Sequence, residues 1–470
     1  MLKEVLVQID DRENQEEKIE RIERMGYTFL KDACVLKLLE FEIPERKTVE
    51  ESIKELEELD FVVKVEPDYK INLEGGEVLQ EINKDHFPKL WEKLDPNRDE
   101  ITVAVIDNGI DFGHNFLTDM VDVEKSYNFV DDESEYYKPE EHGTHVAGLI
   151  SSYCEDASFA GGMWSSKLVG LRALDEEGSG DLEYLIEALE CAAGNHPKDK
   201  LDEPVDIINL SLGLPFNSFF LRLAIRDAID AGCILVAASG NAGMEDIIYP
   251  AAYDNVIAVG SVDKNNNKSD FSNYGDRLDI TTLGEDVFSL MPYNETGIMS
   301  GTSMATPIIS GLIGLLIDKG IFKSLNKTDI MDALSELAIN KENVEEYGVG
   351  VIEYDLEEVS KFIDKRKEDK PEEDSDEDKE EEKDYEKETE DKEEYIKKLE
   401  SKLSEKSKEV KELKSKTEEY QVRVKELELD LKELKEEIGE KEKEYKDRER
   451  ELKRILEHAH KAKEVLNEII

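Results

Sequence analysis

Five short runs of branched apolar residues recur through the middle of the chain, at Ile101–Ile106, Leu168–Leu171, Val205–Leu210, Cys233–Ala238 and Val256–Val262. Each is too short for a buried helix and is apolar on both alternating faces, the pattern of a strand covered on both sides. Helical periodicity falls between them, at the segment opening on His142, at Leu182–Ala193 and at Phe219–Ala231. A strand that alternates with a helix is carried back parallel to its predecessor, so the expectation is an α/β domain: a parallel sheet with helices on both faces.

The two ends of the chain differ from this middle. Residues from Met1 to about Glu74 read as strand, helix (Asn14–Met25), two strands, helix (Val49–Leu59) and strand (Phe61–Val65). That βαββαβ order is the ferredoxin-like α+β pattern. Between Glu368 and Glu394, 18 of 27 residues are acidic and 5 basic, so no core can form and the segment reads as a self-repelling linker. From Ile396 a heptad begins. Its a series (Ile396, Leu403, Val410, Thr417, Val424 and onward to Leu466) and its d series (Leu399, Lys406, Leu413, Tyr420, Leu427 and onward to Ile469) are mostly apolar, without a break in register. This predicts a C-terminal coiled coil that self-associates as a homo-oligomer or takes a helical partner. A lone charged helix and a hairpin turning near Gly439 are the alternatives. The expected domains are residues 1–76, 77–364, 365–394 and 395–470.

Charge and composition exclude some partners. With 61 basic and 115 acidic residues the net charge is −54, which argues against nucleic acid or an anionic membrane surface. No run approaches the ~20 apolar residues of a membrane span. The first residues lack a signal-peptide pattern. The four cysteines, Cys34, Cys154, Cys191 and Cys233, are far apart and read as reduced thiols. A cytoplasmic protein is expected on these grounds.

Three segments carry chemistry: ITVAVIDNGID around Asp107, EHGTHVAGLI around His142 and MSGTSMATP around Ser303. Asp107 ends a buried strand, where a carboxylate is fixed well enough to orient an imidazole. His142 opens a helix, with Gly143 permitting close approach. Ser303 begins another helix, with unsatisfied N–H groups beside its hydroxyl. In a fourth segment, CILVAASGNAG, a strand runs into a turn at Asn241.

The order Asp, His, Ser with these surroundings resembles the subtilase (subtilisin-like) serine proteases, over roughly Leu90 to Lys361. The resemblance implies a serine endopeptidase acting on protein or peptide substrates, with Asp107, His142 and Ser303 as catalytic triad and Asn241 in the oxyanion hole. It implies substrate walls at Gly178, Ser179 and Gly180 and at Ser211, Leu212 and Gly213, which pair with the substrate as an extra strand. It implies that Met1 to about Glu74 is an inhibitory propeptide, with Asp68 to Gly76 lying in the active site as a pseudo-substrate. Ile248 stands where roomier members have glycine and is expected to shorten the pocket for the residue before the cleaved bond. Ile308 stands where histidine is frequent. No cofactor is required. The loop Tyr153 to Gly162 lacks the Asn-rich pattern of the family's tight calcium site, which argues against structural calcium, and no metal ligands are assigned. Two other readings remain open: a catalytically idle scaffold presenting a coiled coil, and a processing protease dedicated to one partner.

Overall fold

The computed structural model describes residues 3–73, 101–368 and 452–453, apart from positions 13, 34–35, 132–137, 155–158, 164–165, 197–200, 202 and 354. The expected linker beyond residue 368, the heptads and the segment 74–100 lie outside the described residues.

The N-terminal domain runs β1 (Glu4–Ile9), α1 (Gln15–Glu23), β2 (Thr28–Asp32), β3 (Leu38–Glu42), α2 (Val49–Leu56) and β4 (Val62–Pro67). Its antiparallel sheet has the order β2-β3-β1-β4. This is the βαββαβ arrangement expected. Helix α2 starts where Thr48 and Glu51 form a reciprocal capping box. Strand β1 is apolar on both faces for a reason. Val5, Val7 and Ile9 pack with Ile22, Leu56 and Val65 in the domain's own core. Leu6, Leu38 and, further on, Ile71 belong instead to the core of the larger domain.

A short strand β5 (Lys70–Leu73) leads out of this domain. The larger domain follows with β6 (Thr102–Asp107), β7 (Tyr127–Asn128), α3 (Glu141–Ile150), a small hairpin β8 (Tyr153–Cys154) and β9 (Phe159–Ala160), and β10 (Lys167–Arg172). Next come β11 (Ser179–Asp181), α4 (Leu182–Ala192), β12 (Ile207–Leu210), β13 (Leu212–Gly213), α5 (Phe219–Asp230), β14 (Ile234–Ala238) and β15 (Ile257–Val262). The domain closes with β16 (Ile280–Leu283), a hairpin of β17 (Val287–Met291) and β18 (Glu295–Met299), α6 (Thr302–Asp318), α7 (Lys327–Leu337), α8 (Val344–Tyr347), β19 (Val351–Ile352) and α9 (Leu356–Glu368).

Eight strands form one sheet in the order β19-β16-β15-β14-β12-β6-β10-β7, and every pairing in it is parallel. Alternate residues divide its two cores. Val103, Val105, Ile207 and Val236 face α3 and α6, whereas Ala104, Ile106, Ile208 and Leu235 face α4 and α5. The sheet therefore has helices on both faces, as expected. The first strand, β6, lies between β10 and β12, so the chain builds outward from it in both directions. In such sheets the crevice for ligands opens at the carboxyl ends of the strands beside that reversal. Helix α9 runs to Glu368, four residues into the segment expected to be linker, because Val359, Phe362 and Ile363 are buried in the core.

Candidate active site

Asp107 is the last residue of β6 and is fully buried. Its Oδ1 accepts the Asn108 N–H at 2.8 Å, and its two oxygens stand 2.9 and 3.0 Å from His142 Nδ1. Facing a carboxylate, Nδ1 is the nitrogen that carries the proton, which makes Nε2 the basic one. Nε2 is buried and has no hydrogen-bond partner.

His142 is held by the start of α3. A Cβ on Gly143 would collide with the Gly109 carbonyl and press on Asp107 Oδ1, so glycine lets helix and strand end approach. The Gly143 N–H donates to Asn108 Oδ1 at 3.1 Å, and the Asp111 N–H to Thr144 Oγ1 at 2.9 Å. Behind them Arg172, itself buried, donates from Nε to the Asn108 carbonyl (2.7 Å) and from Nη1 to Asp131 (2.9 Å). One turn further, His145 donates Nε2–H to the Val287 carbonyl at 3.0 Å. Burial, then the neighbouring His142, lower its pKa to about 3, so it is a neutral part of the core.

Ser303 is the second residue of α6, which packs against α3. Its hydroxyl donates to the Ser211 carbonyl at 2.9 Å, and Ser211 Oγ donates back to the Ser303 carbonyl at 2.9 Å. The serine is thus brought into the same crevice as the other two but is not hydrogen-bonded to His142. A chain of polar groups continues below: Asn209 Nδ2 donates to Ser211 Oγ (3.0 Å), and Ser310 Oγ donates to Asn209 Oδ1 (2.9 Å). Asn241 follows β14. Its Oδ1 accepts both the N–H and the hydroxyl of Thr302, at 2.9 and 3.0 Å, which turns the amide's donor end away from the helix.

One strand bridges the two segments expected to form the walls. Strand β5 pairs antiparallel with β11 (Ser179 with Asn72, Gly180 with Ile71) and with β13 (Leu212 with Leu73, Gly213 with Asn72). Gly178 has a φ of +78°, and its carbonyl accepts the Leu73 N–H at 3.0 Å. Ile248 leans on Gly213 and Gly240, where an added Cβ on either would strike it. Two carboxylates preceding β5 sit at helix starts. Glu66 accepts from Ser218 Oγ and from the N–H groups of Phe219 and Phe220 at the start of α5, and Asp68 Oδ1 accepts the Glu183 N–H at the start of α4.

Sequence reasoning left out Asn209, Ser310, Thr302 and Glu66. The first three carry a visible signal, a polar residue inside an otherwise apolar strand or helix. Glu66 carries none, since one acid in an acidic stretch cannot be told from another.

Residues 98–381 match the model of the Subtilase family. The chain belongs to that family. It is 33% identical over 345 residues to the thermophilic serine proteinase of Bacillus sp. strain AK1, covering 71% of this chain and 82% of that protein. It is 32% identical over 308 residues to subtilisin E of Bacillus subtilis strain 168, covering 64% and 77%. Among solved structures it resembles fervidolysin from Fervidobacterium pennivorans, a keratinolytic enzyme related to subtilisin, with a TM-score of 0.63 and 20% identity over 76% of this chain. It spans 61% of fervidolysin, and that likeness shows the fold. The chain is a subtilisin-like serine endopeptidase. No helix among the described residues is long and apolar enough to cross a membrane.

Proposed function

We propose that Asp107, His142 and Ser303 act as the catalytic triad of a protease that its own N-terminal domain holds inactive. The observation that carries this is β5, hydrogen-bonded on both sides to the walls beside Ser303, where an extended peptide would otherwise add as a strand. In the reaction, Ser303 turns from the Ser211 carbonyl to His142 and gives its proton to Nε2 as Oγ attacks the peptide carbonyl. Asp107 keeps the imidazole in the Nδ1–H tautomer and stabilises its charged form. The Asn241 amide and the Ser303 N–H, in the unsatisfied first turn of α6, stabilise the oxyanion. His142 then protonates the leaving amine, and water resolves the acyl-enzyme. None of these steps uses a cofactor.

The register supports one self-cleavage position. Leu212 pairs with Leu73 and Gly213 with Asn72, so in this register a bound peptide would set the residue after the Leu73 position against Ser211, whose carbonyl holds Ser303 Oγ. The bond attacked is then Glu74–Gly75, inside the expected window of Asp68 to Gly76. The test is N-terminal sequencing of purified protein beside its Ser303→Ala form, with fluorophosphonate labelling of Ser303. A new terminus at Gly75 in the parent alone, with labelling, is expected. An idle scaffold would stay intact and unlabelled.

The heptads from Ile396 support a tether to a second copy or a helical partner, separate from the chemistry. Removal near Lys370 should leave small-peptide hydrolysis unchanged and lower the mass by light scattering. Cys191 and Cys233, buried and not disulfide-bonded, fit the reducing conditions of a cytoplasmic enzyme. Fractionation checks this.

A further inference from the structure

The face of the N-terminal sheet that looks toward α4 is apolar at Leu6 and Leu38, yet three carboxylates stand in the same rows. Glu4 lies two residues before Leu6 on β1. Glu40, opposite Leu6, lies two residues after Leu38 on β3. Asp68 follows β4 and donates its N–H to the Glu4 carbonyl at 3.2 Å. One carboxylate oxygen from each residue falls within 4.8 Å of those of the other two. Glu40 and Asp68 are buried, at 8% and 1% exposure. Asp68 spends Oδ1 on the Glu183 N–H, and its Oδ2 is buried without any partner.

The cations nearby are directed elsewhere. Lys31 pairs with Glu183 at 2.9 Å, and Lys70 pairs with Asp181. Across the junction α4 adds further negative charge at Glu187. Burial, then Asp181 and Glu40, hold the Asp68 carboxyl well above its usual range. Burial does the same for Glu40, which shares a hydrogen bond with Glu183. Two buried carboxylates beside a half-exposed one, eased only in part by Lys31 and Lys70, are costly unless something positive joins them.

We propose that Glu4, Glu40 and Asp68 form a divalent-cation site for a hard ion, with Ca²⁺ the best fit. Two oxygens on one calcium lie at most about twice the 2.3–2.6 Å bond apart, a limit the three oxygens meet, and water completes the shell from the side of half-exposed Glu4. Mg²⁺ demands a near-ideal octahedron and gives up its water reluctantly, which suits three carboxylates fixed by the fold less well. The three ligands come from neighbouring rungs of one sheet, so the site is rigid before the ion arrives. The ion would also lessen the repulsion between this face and the acidic start of α4.

The test uses the full-length Ser303→Ala protein, stripped with EDTA and titrated calorimetrically with Ca²⁺ and, separately, Mg²⁺. Glu40→Gln and Glu4→Gln are compared with it. The expected result is one equivalent of Ca²⁺ fewer in each variant than in the parent, with Mg²⁺ at least tenfold weaker. Ions bound elsewhere cancel in the difference. Glu4→Gln, at a half-exposed position, keeps the test valid if Glu40→Gln does not fold. Equal stoichiometry in the parent and the folded variants would overturn the site. So would proton uptake by the parent in paired buffers with no calcium bound, which would mean that protons do the neutralising.

Discussion

Replacing Ile71 by alanine tests how strongly β5 is held in the cleft. Ile71 is fully buried and belongs to the core of the catalytic domain, while its backbone pairs with Gly180. Alanine keeps the backbone ladder and removes only the buried side-chain carbons. Such truncations cost about 2–5 kcal/mol, the spread reflecting how far the site can collapse. At about 1.4 kcal/mol per tenfold, the opening equilibrium of the strand should rise between ~30-fold and a few thousand-fold. Hydrogen exchange of the full-length Ser303→Ala protein reads this directly. The reporters are the Leu73 N–H, bonded to the Gly178 carbonyl at 3.0 Å, and the Leu182 N–H, bonded to the Tyr69 carbonyl at 2.8 Å. Both should exchange faster by that factor, while amides in β6 and β12 stay protected. Acceleration of less than about fivefold at both reporters would mean that the side chain does not anchor the segment, and docking would have to be credited to Glu66 and the backbone alone.

Asn241→Ala should lower kcat by the ~10²–10³-fold attached to losing a side-chain oxyanion donor, with little change in KM; that magnitude is the subtilisin family's own, and steady-state kinetics that moved only KM would contradict the role. Ile248→Gly removes the side chain that leans on Gly213 and Gly240. It should raise kcat/KM for substrates with phenylalanine before the cleaved bond relative to alanine, and an unchanged ratio would place the pocket elsewhere. His145, its pKa lowered to about 3 in the fold, takes up a proton on unfolding when the pH lies between that value and the ordinary one near 6.5. Its contribution to stability is therefore intact above ~6.5 and falls by about 1.4 kcal/mol per pH unit between there and ~3. In denaturant curves the stability difference between Ser303→Ala and its His145→Gln form should follow that slope, since the buried carboxyls contribute equally to both.

The parts legible in the sequence are those that repeat locally. Strands such as Thr102–Asp107 and Ile234–Ala238 announce themselves by continuous burial, and Asp107, His142 and Ser303 by the glycines and apolar runs around them. Strands β7, β16 and β19 were not expected. β7 and β19 are two residues each, too short for a periodicity, and in β16 the apolar pattern is broken by Thr281 and Thr282. The helix expected over Asn14–Met25 is shorter, Gln15–Glu23, because Asn14 takes a left-handed backbone and Gly26 ends the turn with a φ of +99°. The direction of the Ser303 hydroxyl, the seat of Glu66 on α5 and the meeting of Glu4, Glu40 and Asp68 depend on residues tens to more than a hundred positions apart. No local pattern encodes those.

If the N-terminal domain is cut away as we propose, its two-faced sheet makes that departure a ratchet. While docked, Leu6, Leu38 and Ile71 share the catalytic domain's core. Once the chain is cut and the domain leaves, that face meets water, on a unit of about 70 residues whose remaining core is small for its surface. A freed domain of this kind would lose order and become a good substrate for the enzyme it had covered. Each molecule that escapes inhibition would then destroy a rebinding competitor, so activation in a population should accelerate with its own progress. Progress curves of the purified full-length protein should then be sigmoidal, with a lag that shortens as protein concentration rises.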